Sequence, residues 1–141
     1  MKQFSIIILT FKEEENIRRC LDSINDFTDD IIIVDSFSTD ATLKICEDYG
    51  CRIYQHKFVN QAIQFNWALD NLPLERPWIL RLDCDEVLPT KLKQELVKLA
   101  ATSDSDVTGI YRRQHRLDDR RRSDHLPVVS VVLGESVSPD G

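Results

Sequence analysis

The sequence predicts an α/β domain with a largely parallel sheet, and three observations carry that expectation. The runs "FSIIILTF", "DDIIIVDS" and "PWILRLD" are continuously apolar and rich in β-branched residues, as strands buried on both faces are. Between them lie segments whose apolar residues recur at three- and four-residue spacing, the mark of one helix face. Strand and helix alternate, so parallel neighbours would be joined by right-handed helical crossovers.

The elements follow in order. "FSIIILTF" is the first strand. "EEENIRRCLDSI" is a helix with Ile17, Cys20, Leu21 and Ile24 on one side and acids in its first turn, where they complement the helix dipole. "DDIIIVDS" is the second strand. Thr39 or Asp40 caps the next helix, which places Ala41, Ile45, Cys46 and Tyr49 on one side and stops at Gly50. "CRIYQH" is a third, shorter strand. Ala62, Phe65, Leu69 and Leu72 mark a helix that ends before Pro73. "PWILRLD" is the fourth strand, and Leu92, Leu96, Leu99 and Ala100 stripe a helix opened by Pro89 and Thr90. "VTGIYRR" predicts a fifth strand and closes a domain over residues 1–113.

Residues 114–141, "QHRLDDRRRSDHLPVVSVVLGESVSPDG", break the pattern. Phe, Trp, Tyr, Lys and Ile are all missing, and the arginine run has neither helical nor strand period. Only "VVSVVLG" has strand character. The expectation is an irregular, disordered C-terminal tail, produced by a truncated or frameshifted reading of a longer gene.

The 141 residues, 42% hydrophobic and 30% charged, suit one soluble domain with a real core. A net charge of −6 excludes a general nucleic-acid binder, which needs a basic face to neutralise phosphates. The start, "MKQFSIIILTFKEEE", does not read as a signal peptide. Cys20, Cys46, Cys51 and Cys84 lack CxxC spacing and read as reduced thiols. A cytoplasmic protein is expected.

In open parallel sheets, ligands sit beyond the carboxyl ends of the strands. Here those ends carry "TFKEEE", "VDSFSTD" and "LDCDE". Asp83, Asp85 and Glu86 crowd together, and carboxylates so placed repel one another and are costly to desolvate without a positive partner. A hard divalent cation, Mg²⁺ or Mn²⁺, is that partner by chemistry. The alternative is a solvated turn that precedes the helix at Pro89.

"LRLDCDEV" also satisfies the hydrophobic-DxDx[T/V] pattern of haloacid-dehalogenase-type phosphatases, with Asp83 as nucleophile and Asp85 as acid/base. That family carries the motif on its first strand, whereas three strands precede it here. A receiver domain needs paired acids after its first strand and a lysine after its fifth. Asp29 and Asp30 instead precede the second strand, and no lysine follows Lys98. A sugar-nucleotide pyrophosphorylase needs a glycine-rich N-terminal loop, and no glycine precedes Gly50.

Four ordered segments, "IIILTFKEEENIRRCLDSI", "IIIVDSFSTDATLKICEDYG", "YQHKFVNQAIQFNWAL" and "WILRLDCDEVL", together resemble the inverting glycosyltransferases of family 2. The resemblance covers about residues 3–113, and Lys12 stands where that family usually has Asn. The wording "VDSFSTD" and "LRLDCDE" is most similar to the subgroup that adds glucose to the lipopolysaccharide inner core. It implies a Rossmann-like GT-A nucleotide-sugar-binding domain, a UDP-sugar donor, a Mg²⁺ or Mn²⁺ cofactor and a lipopolysaccharide-core or similar glycan acceptor. It also implies peripheral contact with the cytoplasmic face of the inner membrane.

By the same resemblance, Asp35 would accept a hydrogen bond from uracil N3–H, and Thr10 and Glu13 would line the base and ribose pocket. Gln64 and Asn66 would face the donor sugar or diphosphate. Asp83 would contact ribose and metal, and Asp85 would be the principal metal ligand. Arg81, in phase with Asp83, would neutralise phosphate. Glu13 fits a first-turn helix acid equally well, and Asp40 an N-cap. Inverting transfer also needs a general base. The candidates among the carboxylates after Glu86 are Asp104, Asp106, Asp118, Asp119, Asp124, Glu135 and Asp140, and none lies in a recognisable motif. An inactive donor-binding fragment is therefore the alternative expectation, and the catalytic residue is left unassigned.

Overall fold

The computed structural model describes residues 3–74, 76–102 and 128–130. The strands are β1 (Phe4–Thr10), β2 (Ile31–Asp35), β3 (Arg52–Gln55), β4 (Trp78–Arg81) and β5 (Val128–Ser130). The helices are α1 (Ile17–Ile24), α2 (Thr42–Asp48), α3 (Gln61–Asn71) and α4 (Thr90–Thr102). The sheet order is β3-β2-β1-β4-β5, and every neighbouring pair is parallel. The chain builds outward from β1 in one direction, then returns to its other side with β4. That reversal is the switch point at which such sheets open a ligand crevice.

Burial on both faces explains the unbroken apolar strands. Ile6, Ile8, Ile33 and Leu80 pack with Ile17, Cys20, Leu21 and Ile24 of α1, Ile45 and Cys46 of α2, and Leu96 and Ala100 of α4. Ile7, Ile32, Val34 and Ile79 pack on the opposite face, with Phe65 and Ala68 of α3. Each fully buried Ile or Leu contributes about 1.5–3 kcal/mol relative to exposure, so the central strands hold the sheet firmly. The loops that leave their ends therefore start from fixed points.

The helices depart from expectation in informative places. α1 starts only at Ile17, because the N–H groups of Asn16 and Ile17 both donate to the Glu13 carbonyl in a preceding turn. Glu13, Glu14 and Glu15 therefore lie ahead of the helix, and its first turn holds no acid. The Thr42 hydroxyl accepts from Glu13 N–H at 2.8 Å and draws this turn towards α2. The N-cap of α2 is Ala41, not Thr39 or Asp40; Asp40 stands one residue ahead of it, and its Oδ1 accepts from the Thr42 N–H at 3.0 Å and from the Thr42 hydroxyl at 2.6 Å. Thr42 is consequently buried, and Ala41, expected on the inner face, is exposed. Gly50 ends the α2 segment at φ 77°, a conformation that suits glycine.

On α3 the inward face is Gln64, Phe65 and Ala68, while Ala62 is exposed. Leu69 and Leu72 pack at the margin of that core. The Asn60 side chain caps the helix by accepting from Ile63 N–H at 2.8 Å. The strand expected at 107–113 lies outside the described residues. β5, residues 128–130, lies within the segment after residue 113, and its backbone pairs with β4 from Ile79 to Arg81. No described helix is long and apolar enough to cross a membrane.

Candidate functional site

The acid-bearing turn follows β4 directly. It is closed by the Glu86 N–H donating to the Asp83 carbonyl at 3.0 Å. Leu82, Cys84 and Leu88 are buried in the α1/α4 core, and the Cys20 thiol donates to the Asp83 carbonyl at 3.7 Å. Those anchors leave Asp83, Asp85 and Glu86 together, with one carboxylate oxygen of each within 4.8 Å of the others. Asp85 is exposed; Asp83 and Glu86 are half-buried.

Burial raises the Asp83 carboxyl above the ordinary carboxylate range; the Arg81 charge opposes this, and Asp85 and Glu13 push it further up. Burial in turn lowers Arg81, against the attraction of Asp83. The Arg81 guanidinium lies 4.9 Å from the Phe65 ring centroid and donates to Gln61 Oε1 at 3.2 Å. The nearby thiols stay protonated. Burial, then the charges of Glu86, Asp83 and Asp85, push Cys20 up to about 12, and Cys84 is raised in the same direction. The donor set is thus three hard oxygens with no competing thiolate, which fits Mg²⁺ or Mn²⁺.

A pH dependence follows from Asp83. Its carboxyl ionises at higher pH in the folded chain than in the unfolded one, so its ionisation opposes folding above the ordinary carboxylate value. A bound cation reverses that sign by favouring the ionised form. Mn²⁺ should therefore raise the melting temperature at neutral pH, and the rise should shrink as pH falls through the raised Asp83 value. Melting curves with and without Mn²⁺ from neutral pH down to about pH 4 test this. A shift of constant size would contradict it.

The turns after β1 and β2 are tied together. Thr10 and Asp35 are register partners at the strand ends. The Thr10 hydroxyl donates to Asp35 Oδ1 at 2.6 Å, the Ser38 hydroxyl to the same oxygen at 2.6 Å, and the Ser38 N–H to Oδ2 at 2.7 Å. Lys12 N–H donates to Ser38 Oγ at 2.8 Å. Asp35 has 0% exposure. In this conformation its carboxylate organises the turn and presents no surface to a base, unlike the direct contact the resemblance implied. Glu13 is half-buried, and its carboxylate lies against the Cys84 thiol and within electrostatic reach of Asp83. The first turn and the acid turn therefore meet.

Gln64 also departs from expectation. It has 0% exposure and is saturated: its Nε2 donates to Ser36 Oγ and to the His56 carbonyl, both at 3.1 Å, and its Oε1 lies 2.6 Å from His56 Nδ1. It braces the ends of β2 and β3 rather than facing a ligand. Because the amide nitrogen makes both donations, Oε1 accepts, and Nδ1 of His56 carries the proton. The His56 ring stacks on Trp67, with centroids 4.1 Å apart. Sequence reasoning passed over His56, although its position just past β3, at the same sheet end as the other turns, was a usable signal. Asn66 is half-buried on α3 and makes no side-chain hydrogen bond among the described residues.

A model of Glycosyl transferase family 2 matches residues 5–136. The chain belongs to this family. The match extends past residue 113 and takes in β5. Among relatives, an uncharacterised glycosyltransferase of Rickettsia bellii (strain RML369-C) is 31% identical over 125 residues, 86% of this chain and 42% of that protein. The lipopolysaccharide core biosynthesis glycosyltransferase LpsC of Rhizobium meliloti (strain 1021) is 32% identical over 108 residues, 73% of this chain and 39% of that protein. The crystal structure of S. aureus TarS 1–349 superposes with a TM-score of 0.62 at 26% identity, over 72% of this chain and 33% of that one. Glucosyl-3-phosphoglycerate synthase from Mycobacterium tuberculosis, solved with uridine diphosphate, shares the fold at a TM-score of 0.57 and 20% identity, over 78% of this chain and 42% of that one. The chain spans less than half the length of these glycosyltransferase relatives.

Proposed function

We propose that this chain is the donor-binding half of a family 2 glycosyltransferase, which holds a UDP-sugar, such as UDP-glucose, through a divalent cation for transfer to a lipopolysaccharide-core or similar glycan. The observation that carries this reading is the acid turn at the end of β4, whose carboxylates repel one another beside the switch point of the sheet. The lipopolysaccharide core biosynthesis role of LpsC supports the acceptor class. On the same fold, the M. tuberculosis synthase has been solved with Mn²⁺ and UDP-glucose. A glycan acceptor of this class would bring the protein to the cytoplasmic face of the inner membrane as a peripheral visitor.

In this reading Asp83 and Asp85, with Glu86 beside them, hold the cation. When bound, the cation neutralises charge that builds on the departing diphosphate. Arg81 offers a guanidinium to a phosphate oxygen beside Asp83, a charge-assisted contact. Glu13 and Thr10 line the base and ribose pocket, and Asp35 shapes it by holding the turn. Asn66 supplies an amide towards the sugar or diphosphate.

A second element of the proposal concerns these 141 residues taken alone: they bind donor but transfer sugar slowly, because no candidate carboxylate after Glu86 stands in a recognisable motif. General-base catalysis contributes roughly 10²–10⁴-fold, and acceptor positioning at least as much again. A radiolabelled-donor assay with core oligosaccharides, run beside a UDP titration of the same preparation, should show binding with little transfer. Turnover of about 1 s⁻¹ or faster, an ordinary enzyme's rate, would mean that a carboxylate after Glu86 serves as a competent base.

A further inference from the structure

We propose that the ring of Phe37 is a stacking platform for the nucleobase of the bound donor; this rests on the donor-binding reading above. Phe37 is 60% exposed and lies at φ 58°, in the left-handed region. A bulky side chain is an outlier there, since its Cβ crowds the following carbonyl. Such a conformation persists only where the surroundings over-determine it, and residues held this way cluster at ligand sites.

Here all three residues of the turn are pinned. Ser36 N–H donates to the Thr10 carbonyl at 3.0 Å, and Ser36 Oγ accepts from Gln64. Phe37 N–H donates to Gln55 Oε1 at 2.8 Å. Ser38 is held through its N–H and its hydroxyl by Asp35. The backbone is fixed and the ring is presented to solvent. A glycine would relieve the strain and a polar residue would relieve the apolar exposure, so a turn built only to connect β2 and α2 has no use for this side chain.

The position suggests the use. Phe37 stands two residues beyond Asp35, past the end of β2, at the carboxyl end of the parallel sheet that also carries the acid turn after β4. Phe11, on the neighbouring turn, is 51% exposed, but its ring already has the Lys12 ammonium 5.2 Å from its centroid. The Phe37 ring meets neither a second ring nor a cation among the described residues. A planar apolar face held rigidly beside a diphosphate site suits a nucleobase, because stacking tolerates any base and needs no hydrogen-bond partner.

The test titrates UDP and Mn²⁺-pyrophosphate into the unaltered chain and into Phe37→Gly, Phe37→Ala and Phe37→Tyr. Loss of the ring should weaken UDP binding about 10-fold in the Gly and Ala variants, while Tyr keeps near-normal affinity. Pyrophosphate binding should not change. Phe37→Gly should also melt at or above the temperature of the unaltered chain, because the left-handed position then carries no penalty. UDP affinity unchanged in Phe37→Gly would overturn the stacking role alone. Equal loss of UDP and pyrophosphate would overturn it too, as collapse of the turn. If the unaltered chain binds neither ligand, the donor-binding reading falls, and this inference with it.

Discussion

Asp85→Ala should remove the metal-dependent part of UDP binding and leave the fold intact. Asp85 is exposed, so its loss creates no cavity. It does remove one of the three oxygens that lie within 4.8 Å of one another. Losing a group that only hydrogen-bonds to a metal ligand already costs roughly 10–100-fold in affinity or activity, so losing a direct ligand should cost about 100-fold or more. The effect on Asp83 runs the same way as far as charge goes: without Asp85, less like charge remains for a cation to relieve. Calorimetry with UDP in saturating Mn²⁺ should show the full loss, and in chelator the two proteins should bind alike. Asp85→Asn keeps an oxygen without its charge and should fall between. Equal affinity of Asp85→Ala and the unaltered chain in Mn²⁺ would remove the cation from the site.

Most of the scaffold was legible because burial on both faces writes itself into composition. The isoleucine runs of β1 and β2 leave no other role for those residues, and helical spacing located Ile17, Cys20, Leu21 and Ile24 correctly. The acid turn was legible for a related reason: charged residues directly after a buried strand must leave the core. What did not show was which polar groups satisfy one another. The resemblance implied ligand contacts for Gln64 and Asp35, yet in the fold both are consumed by hydrogen-bond partners, Ser36 and His56 for one, Thr10 and Ser38 for the other. Periodicity cannot register such pairings. The same blindness put Ala41 and Ala62 on inner faces, since an alanine suits either side of a helix and here Thr42 and Gln64 took the buried places through hydrogen bonds. Glu13 was misread in position for a local reason, the turn that delays α1.

Asp35→Ala should lower stability by about 3 kcal/mol and weaken uridine binding with or without metal. The carboxylate accepts from the Thr10 hydroxyl, the Ser38 hydroxyl and the Ser38 N–H. Ser38 is half-exposed and would find water, but Thr10 is buried and its hydroxyl would be stranded. A buried donor left unsatisfied costs about 1–3 kcal/mol, to which the emptied carboxylate space adds. Against the ~5–15 kcal/mol of an ordinary domain, the loss would be plain in a urea titration. Uridine affinity should fall in parallel because the turn that fixes Ser36, Phe37 and Ser38 loses its anchor, and chelator should not change that fall, since the acid turn is untouched. Asp35→Asn separates the two ways this residue can serve the base. Its amide can place the oxygen on Ser38 N–H and let the nitrogen donate to the two hydroxyl oxygens, so the turn should survive. Stability and uridine affinity both retained in Asp35→Asn would mean that Asp35 acts through the turn, as its 0% exposure indicates. Stability retained with affinity lost would mean that the carboxylate turns outward to meet uracil N3–H when the ligand binds.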